Sequence, residues 1–146
     1  MYQHTQTGWT VIISLLVSLL ILGFISLPGD GIILFSSISL FIIFFGILFN
    51  SLTVQVDEKN IRWYFGPGFW RKELSFENIE KVSEASNQWY YGWGIRKIPN
   101  GWLYNVSGLA AIEIKLKDGK VIRVGTDEPD VLKRAIQSRL HLMSHT

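Results

Sequence analysis

The sequence predicts an N-terminal transmembrane helical hairpin followed by an α+β domain, in which antiparallel strands are closed by one C-terminal helix. Three observations predict it. No lysine or arginine precedes Lys59, and two uncharged apolar runs, 9–27 and 32–49, fill most of that stretch. From Ser51 onward, apolar residues alternate with polar ones at a period of two, the pattern of half-buried strands. Near the C-terminus the period changes to that of an amphipathic helix. The chain therefore divides into residues 1–50, the hairpin, and residues 51–146, the β domain.

The first run, at about 1.5 Å per residue, reaches roughly 28 Å, close to the roughly 30 Å hydrocarbon core of a bilayer. Both runs are rich in Leu, Ile and Phe, and their few serines can bond back to carbonyls of their own helix. Pro28-Gly29-Asp30-Gly31 separates them, a link so short that the helices must be antiparallel neighbours. Two rival readings are a pair of buried helices in a soluble core, against which both runs lack a polar face, and a signal sequence for the first run. Against it, residues 1–8 carry only His4 as a potential charge, and no small-x-small cleavage pattern follows Leu27. The turn holds Asp30 and no basic residue, whereas Lys59 and Arg62 follow the second run. By the positive-inside rule both termini are expected in the cytoplasm of a bacterial inner membrane, with Trp9 at the inner interface.

In the β domain, Leu52, Val54 and Val56 share one face of a first strand, 51–57. Asp57-Glu58-Lys59-Asn60 reads as a turn, with Asn60 suited to the left-handed conformation. Ile61, Trp63 and Phe65 continue as a second strand, and 69–76 and 79–84 as a third and fourth. The clearest hairpin is 110–124. A three-residue loop, Lys117-Asp118-Gly119, sets Ile114 against Ile122 and Ile112 against Val124, so Gly119 takes the left-handed bulge position. The helix is expected over 127–142, capped by Thr126 or Asp127, with Pro129 in its first turn. Its apolar stripe is Val131, Leu132, Ala135, Ile136 and Leu140.

Strands in meander order, one terminal helix and a preceding two-helix anchor resemble the bacterial pleckstrin-homology-like (PH-like) domain proteins. Leu74-Ser75-Phe76-Glu77-Asn78-Ile79-Glu80-Lys81-Val82 is similar to their third-to-fourth strand junction. Gly92-Trp93-Gly94-Ile95-Arg96, Gly101-Trp102 and Gly125-Thr126-Asp127-Glu128-Pro129 look like a subgroup of small bacterial membrane proteins. The resemblance implies a curved seven-stranded sheet or partial barrel capped by a helix. It implies no activity, and no lipid-binding motif of that fold is carried over.

Residues 89–104 are the least ordinary stretch, with three tryptophans, three tyrosines and the adjacent cations Arg96 and Lys97. Trp89, Tyr91, Trp93, Arg96, Lys97 and Trp102 are the candidate lipid- or partner-binding residues. Three readings stand side by side. The tryptophans fill the core of a bent sheet, or they lie at lipid headgroup depth with Arg96 and Lys97 on phosphates, or they anchor a ligand in a groove.

Chemistry-bearing motifs are lacking. The chain has no cysteine, which excludes thiolate metal sites and cysteine nucleophiles. His4, His141 and His145 lie near the termini. No zinc-protease, nucleophile-elbow, P-loop or dinucleotide signature occurs. An enzyme would need a polar cluster around Arg96, Tyr104 and Glu113. All 14 basic residues and all but one of the 12 acidic residues follow Ser51, a balance too mild for nucleic acid. The expectation is a non-enzymatic, membrane-anchored cytoplasmic binding module with no cofactor or metal. Its partner is the lipid bilayer, a protein or a second copy of the chain. The alternative is an accessory subunit of a larger membrane enzyme or transporter.

Overall fold

A computed structural model of the chain describes residues 1–26 and 32–144. Leu27, the expected turn Pro28-Gly29-Asp30-Gly31 and His145 lie outside the described residues. Two apolar helices form where expected, α1 (Trp9–Ser26) and α2 (Ile32–Phe49). A Cβ on Gly46 would come within 2.9 Å of Leu15, while Gly23 faces Phe35, so the helices run antiparallel. Four serines bond back as expected, among them Ser14 to the Thr10 carbonyl at 2.7 Å and Ser36 to that of Ile32 at 2.8 Å, whereas the buried Ser39 hydroxyl has no partner among the described residues. α2 is long and apolar enough to cross a membrane, and only 6% of it is buried; the apolar part of α1, Trp9–Ile25, is shorter.

The rest folds as two sheets over one core. The first contains β1 (Tyr2–Thr7), β2 (Ser51–Val56), β3 (Asn60–Phe65) and β4 (Phe69–Ser75), in that order. The second contains β5 (Ile79–Ser86), β6 (Gly94–Ile98), β7 (Gly101–Asn105), β8 (Ala110–Leu116) and β9 (Val121–Gly125), in the order β5-β8-β9-β7-β6. Leu52, Val54 and Val56 face Ile61, Trp63 and Phe65 as alternation demands, and all meet Ile112, Ile114 and Val124 of the second sheet. The helix α3 (Pro129–Ser144) inserts Leu132 and Ile136 into the same core.

Several expectations are corrected. The strands expected in a curved sheet or partial barrel form two sheets, which among the described residues make no closed barrel. The all-antiparallel run is broken, because β7 and β9 are parallel: the chain leaves β7, pairs β8 beyond β9, and β9 returns between them. The helix starts two residues later than expected. Thr126 Oγ1 accepts from the Glu128 amide at 3.1 Å, leaving Pro129 to open the first turn. Val131, expected on the buried stripe, is exposed. Asn60 is the first residue of β3, with no left-handed backbone, because the Asp57 carboxylate already closes the turn by accepting the Lys59 and Asn60 amides at 2.9 and 2.7 Å. The 110–124 hairpin has the expected register, with Ile114 opposite Ile122, Ile112 opposite Val124, and Gly119 at φ 84°.

The correction with the widest consequence is β1. Residues 2–7, assigned to the hairpin segment from the sequence, pair with β2 from Tyr2–Val56 through Thr7–Ser51. The pairing then continues into the helices. The Gly8 amide donates to the Asn50 carbonyl at 2.7 Å, and a Cβ on Gly8 would meet the Phe49 carbonyl at 2.9 Å. β1–α1 and α2–β2 therefore form one antiparallel ribbon running from sheet to helix pair with no linker. Thr5 and Thr53 hydroxyls bond across it at 2.9 Å, and His4 joins β1 to the start of α3 through Asp127 at 2.6 Å. Burial, with the nearby Glu128 and Asp127 carboxylates, pushes the Tyr2 phenol up to about 12.

It follows that the fragment 51–146 is expected to be less stable than the β domain of the full chain. It loses ladder bonds worth roughly 1 kcal/mol each net and exposes β2 as a bare edge. A loss of about 2 kcal/mol and association on size exclusion are expected. Thermal melting of fragment and full chain in one detergent checks this, and coincident melts would deny β1 a stabilising part.

Candidate functional site

The junction of helices and sheets is built from aromatic residues. Phe49, the last residue of α2, stacks on Trp70 of β4 at 5.2 Å with 20° between the planes. The same ring meets Phe65 edge-on at 5.2 Å, and Phe65 leads to Tyr104 at 6.3 Å. A ladder of rings thus ties α2 to the core. Gly66 allows this close fit. It stands at φ 47°, and a Cβ there would come within 2.6 Å of the Ile47 carbonyl. On the α1 side, the Thr10 hydroxyl bonds Ser107 in the β7–β8 loop at 2.9 Å. Trp70 itself holds φ 46°, an outlier for a bulky residue, and its stack on Phe49 lies across that strained position.

Beside this ladder lies a groove of about 570 Å³. Val11 and Leu15 of α1, Phe45 and Phe49 of α2, Trp70 of β4, and the run from Trp93 to Arg96 form its walls. Gly92 at φ 69° and Gly94 at φ 91° let the chain turn tightly into β6, so that Gly94 passes close to the Phe49 ring. The Arg96 Nε donates to the Trp93 carbonyl at 3.0 Å, which orients the guanidinium. Arg96 makes no ion pair among the described residues, and no carboxylate lines the groove. The acids elsewhere are largely engaged, Glu113 with Arg123 at 2.7 Å and Glu84 with Lys133 at 2.6 Å.

The six sequence-predicted residues are only partly brought together. Trp93 and Arg96 line the groove. Trp89 and Tyr91 belong to the preceding 3₁₀ turn, whose rings pack on one another through Tyr90. Lys97 follows Arg96 in β6, and consecutive strand residues point to opposite faces, so the two cations are not one clamp. Trp102 sits opposite Lys97 in β7. The core reading of the tryptophans fails: Trp89 is 78% exposed, Trp102 48% and Trp93 37%. The buried indole is Trp63, packed edge-on against Tyr104 at 5.4 Å. Pro99-Asn100, with Asn100 at φ 63°, makes the tight β6–β7 turn.

Sequence reasoning missed Trp70, Phe49, Phe45, Val11 and Leu15 as groove residues. The one available signal was the Gly-Pro-Gly turn before Phe69-Trp70, which places two large aromatics at a turn just after the second helix in space. The polar cluster considered around Arg96, Tyr104 and Glu113 does not assemble. Tyr104 shares the core-facing row with Val124 and Ile112, whereas Glu113 lies one residue out of that row, held by Arg123. Among the described residues, no group of three or more His, Asp or Glu is placed to hold a metal ion. Comparison with protein-family models, with curated proteins and with solved structures finds no match to this chain.

Proposed function

We propose that this chain is a membrane-anchored, non-enzymatic binding module of the cytoplasmic membrane surface. In this reading α1 and α2 cross the bilayer as a hairpin, both termini lie in the cytoplasm, and the PH-like β domain contacts the lipid headgroup region. One observation carries it: large aromatic side chains stand exposed where the apolar helices meet the sheets, and among them is Arg96, which makes no ion pair among the described residues. Trp70 and Trp93 are both 37–47% exposed at that junction, and Trp89 is exposed on the adjoining turn. Amphipathic rings and snorkelling cations at such a level are what a bilayer interface selects. The continuous ribbon of β1–α1 and α2–β2 supports the reading, since it leaves no slack for the domain to stand away from the surface.

The full chain reconstituted in vesicles with brominated lipids tests it through tryptophan fluorescence. Bromines placed high on the acyl chains are expected to quench Trp9, Trp70 and Trp93, read from single-tryptophan variants, and to leave Trp63 unquenched. A C-terminal reporter active only outside the cytoplasm is expected to stay silent. Absence of quenching at Trp70 and Trp93, or an active reporter, would sink the reading; a stoichiometric enzyme partner in mild detergent would favour the accessory-subunit alternative.

A further inference from the structure

We infer that the groove between α1, α2, β4 and β6 holds one anionic phospholipid of the surrounding bilayer, with its phosphate on the Arg96 guanidinium and an acyl chain along Val11, Leu15 and Phe45. The inference rests on the membrane reading above and gives its contact surface a specific ligand.

Three features choose this occupant. The first is polarity along the groove. Leu15 lies six residues beyond the start of α1, so at about 1.5 Å per residue the apolar wall descends roughly 9 Å from the sheet side. Arg96 enters from the sheet. A cation at the surface end and hydrocarbon below it complement a molecule with an anionic head and an apolar tail. The second is charge. Among the described residues Arg96 is the only charged one in the lining, its Nε is already engaged by the Trp93 carbonyl at 3.0 Å, and its terminal nitrogens remain for a phosphate, which suits the planar guanidinium fork. The cavity of about 420 Å³ at the other end of the β2–β3 hairpin shows the contrast. It is lined by both signs, and Arg62 there is already paired with Asp57 at 3.2 Å. The third is a built wall. Trp70 is held at φ 46° against Phe49, and backbone strain of this kind is concentrated where a site is kept in shape. A volume of about 570 Å³ also falls in the range of small-molecule sites.

The test uses the full chain in nanodiscs of phosphatidylcholine with a minor fraction of phosphatidylglycerol. Native mass spectrometry after release into mild detergent counts the lipids retained. One phosphatidylglycerol per chain is expected. Arg96→Gln, a surface change that leaves the fold intact by near-ultraviolet circular dichroism, is expected to lower retention about tenfold, the worth of a charged hydrogen bond. Val11→Trp, which fills the groove without changing charge, is expected to expel the lipid as well. Lys97→Gln, on the other face of β6, is expected to retain it. Equal losses for Arg96→Gln and Lys97→Gln would reduce the effect to diffuse surface attraction and overturn the site. So would equal retention of phosphatidylcholine, or a lipid-free native chain. Alkaline carbonate separates the two levels. A chain that washes off the bilayer refutes the membrane reading and this inference together, whereas one that stays embedded without selective retention refutes this inference alone.

Discussion

Trp63→Ala is expected to destabilise the β domain by about 3–5 kcal/mol, the range for emptying a large aromatic site in a closed core. Trp63 is 1% exposed and stands at the centre of the contact between the two sheets. Its ring meets Tyr104 edge-on at 5.4 Å, and Ile61 and Phe65 flank it on the same face of β3. Strands on both sides are tied by ladders, so the cavity cannot collapse without breaking them. Trp63→Phe offers the sharper comparison. The indole Nε1 is buried with no hydrogen-bond partner among the described residues, and such an orphan donor costs about 1–3 kcal/mol. Phenylalanine removes that cost while keeping much of the ring, so roughly half the alanine loss or less is expected. Thermal unfolding of the full chain in mild detergent, followed by near-ultraviolet circular dichroism, measures both. Equal losses for the two variants would show that the indole nitrogen is satisfied in solution.

Gly101→Ala is expected to cost about 3 kcal/mol, the upper end of what overpacking usually does, through backbone rather than side-chain crowding. A Cβ at Gly101 would run into the Val121 carbonyl across the parallel β7–β9 pair. Both groups are main chain in a paired ladder, so no rotamer change relieves the clash. The consequence reaches the groove. Among the described residues β6 joins the second sheet through β7 alone, and β6 carries Arg96. Loss of phosphatidylglycerol retention is therefore expected to accompany the loss of stability. Gly119→Ala is the control. Its Cβ meets nothing, but φ 84° makes any side chain strained, so about 1 kcal/mol and unchanged lipid retention are expected. A Gly101→Ala chain that melts with the native one would mean that β7 and β9 are not paired as described.

How far the fold could be read depended on whether a segment declares its own environment. β2, β3 and the β8–β9 hairpin alternate apolar and polar residues, so their buried faces and even the Ile114–Ile122 register were legible. β1 reads Tyr-Gln-His-Thr-Gln-Thr and has no apolar face. It is a strand because β2 offers it a ladder, a property of β2 that residues 2–7 do not contain. β6 and β7 were hidden for a related reason. Their glycines and proline look like interruptions, yet they supply the turns and the close approach on which the pairing depends.

The candidate site divides in the same way. Composition picked out Trp93 and Arg96, because aromatic and cationic residues crowd residues 89–104. Composition could not tell an exposed indole from a buried one: alternation set Trp63 on the buried face of β3, whereas the glycines on both sides of Trp93 leave no such pattern. Nor could adjacency show that Arg96 and Lys97 point to opposite faces.

Local pattern in the chain set the apolar helices, the antiparallel hairpins with buried faces and the capped C-terminal helix, because each of those follows from the spacing of residues within one segment. Only tertiary structure decided that the first residues complete a sheet, that β9 slips between β7 and β8, and that four elements enclose a groove around one arginine. Those features come from segments distant in sequence satisfying one another's backbone bonds and apolar surfaces, and no single segment carries that information.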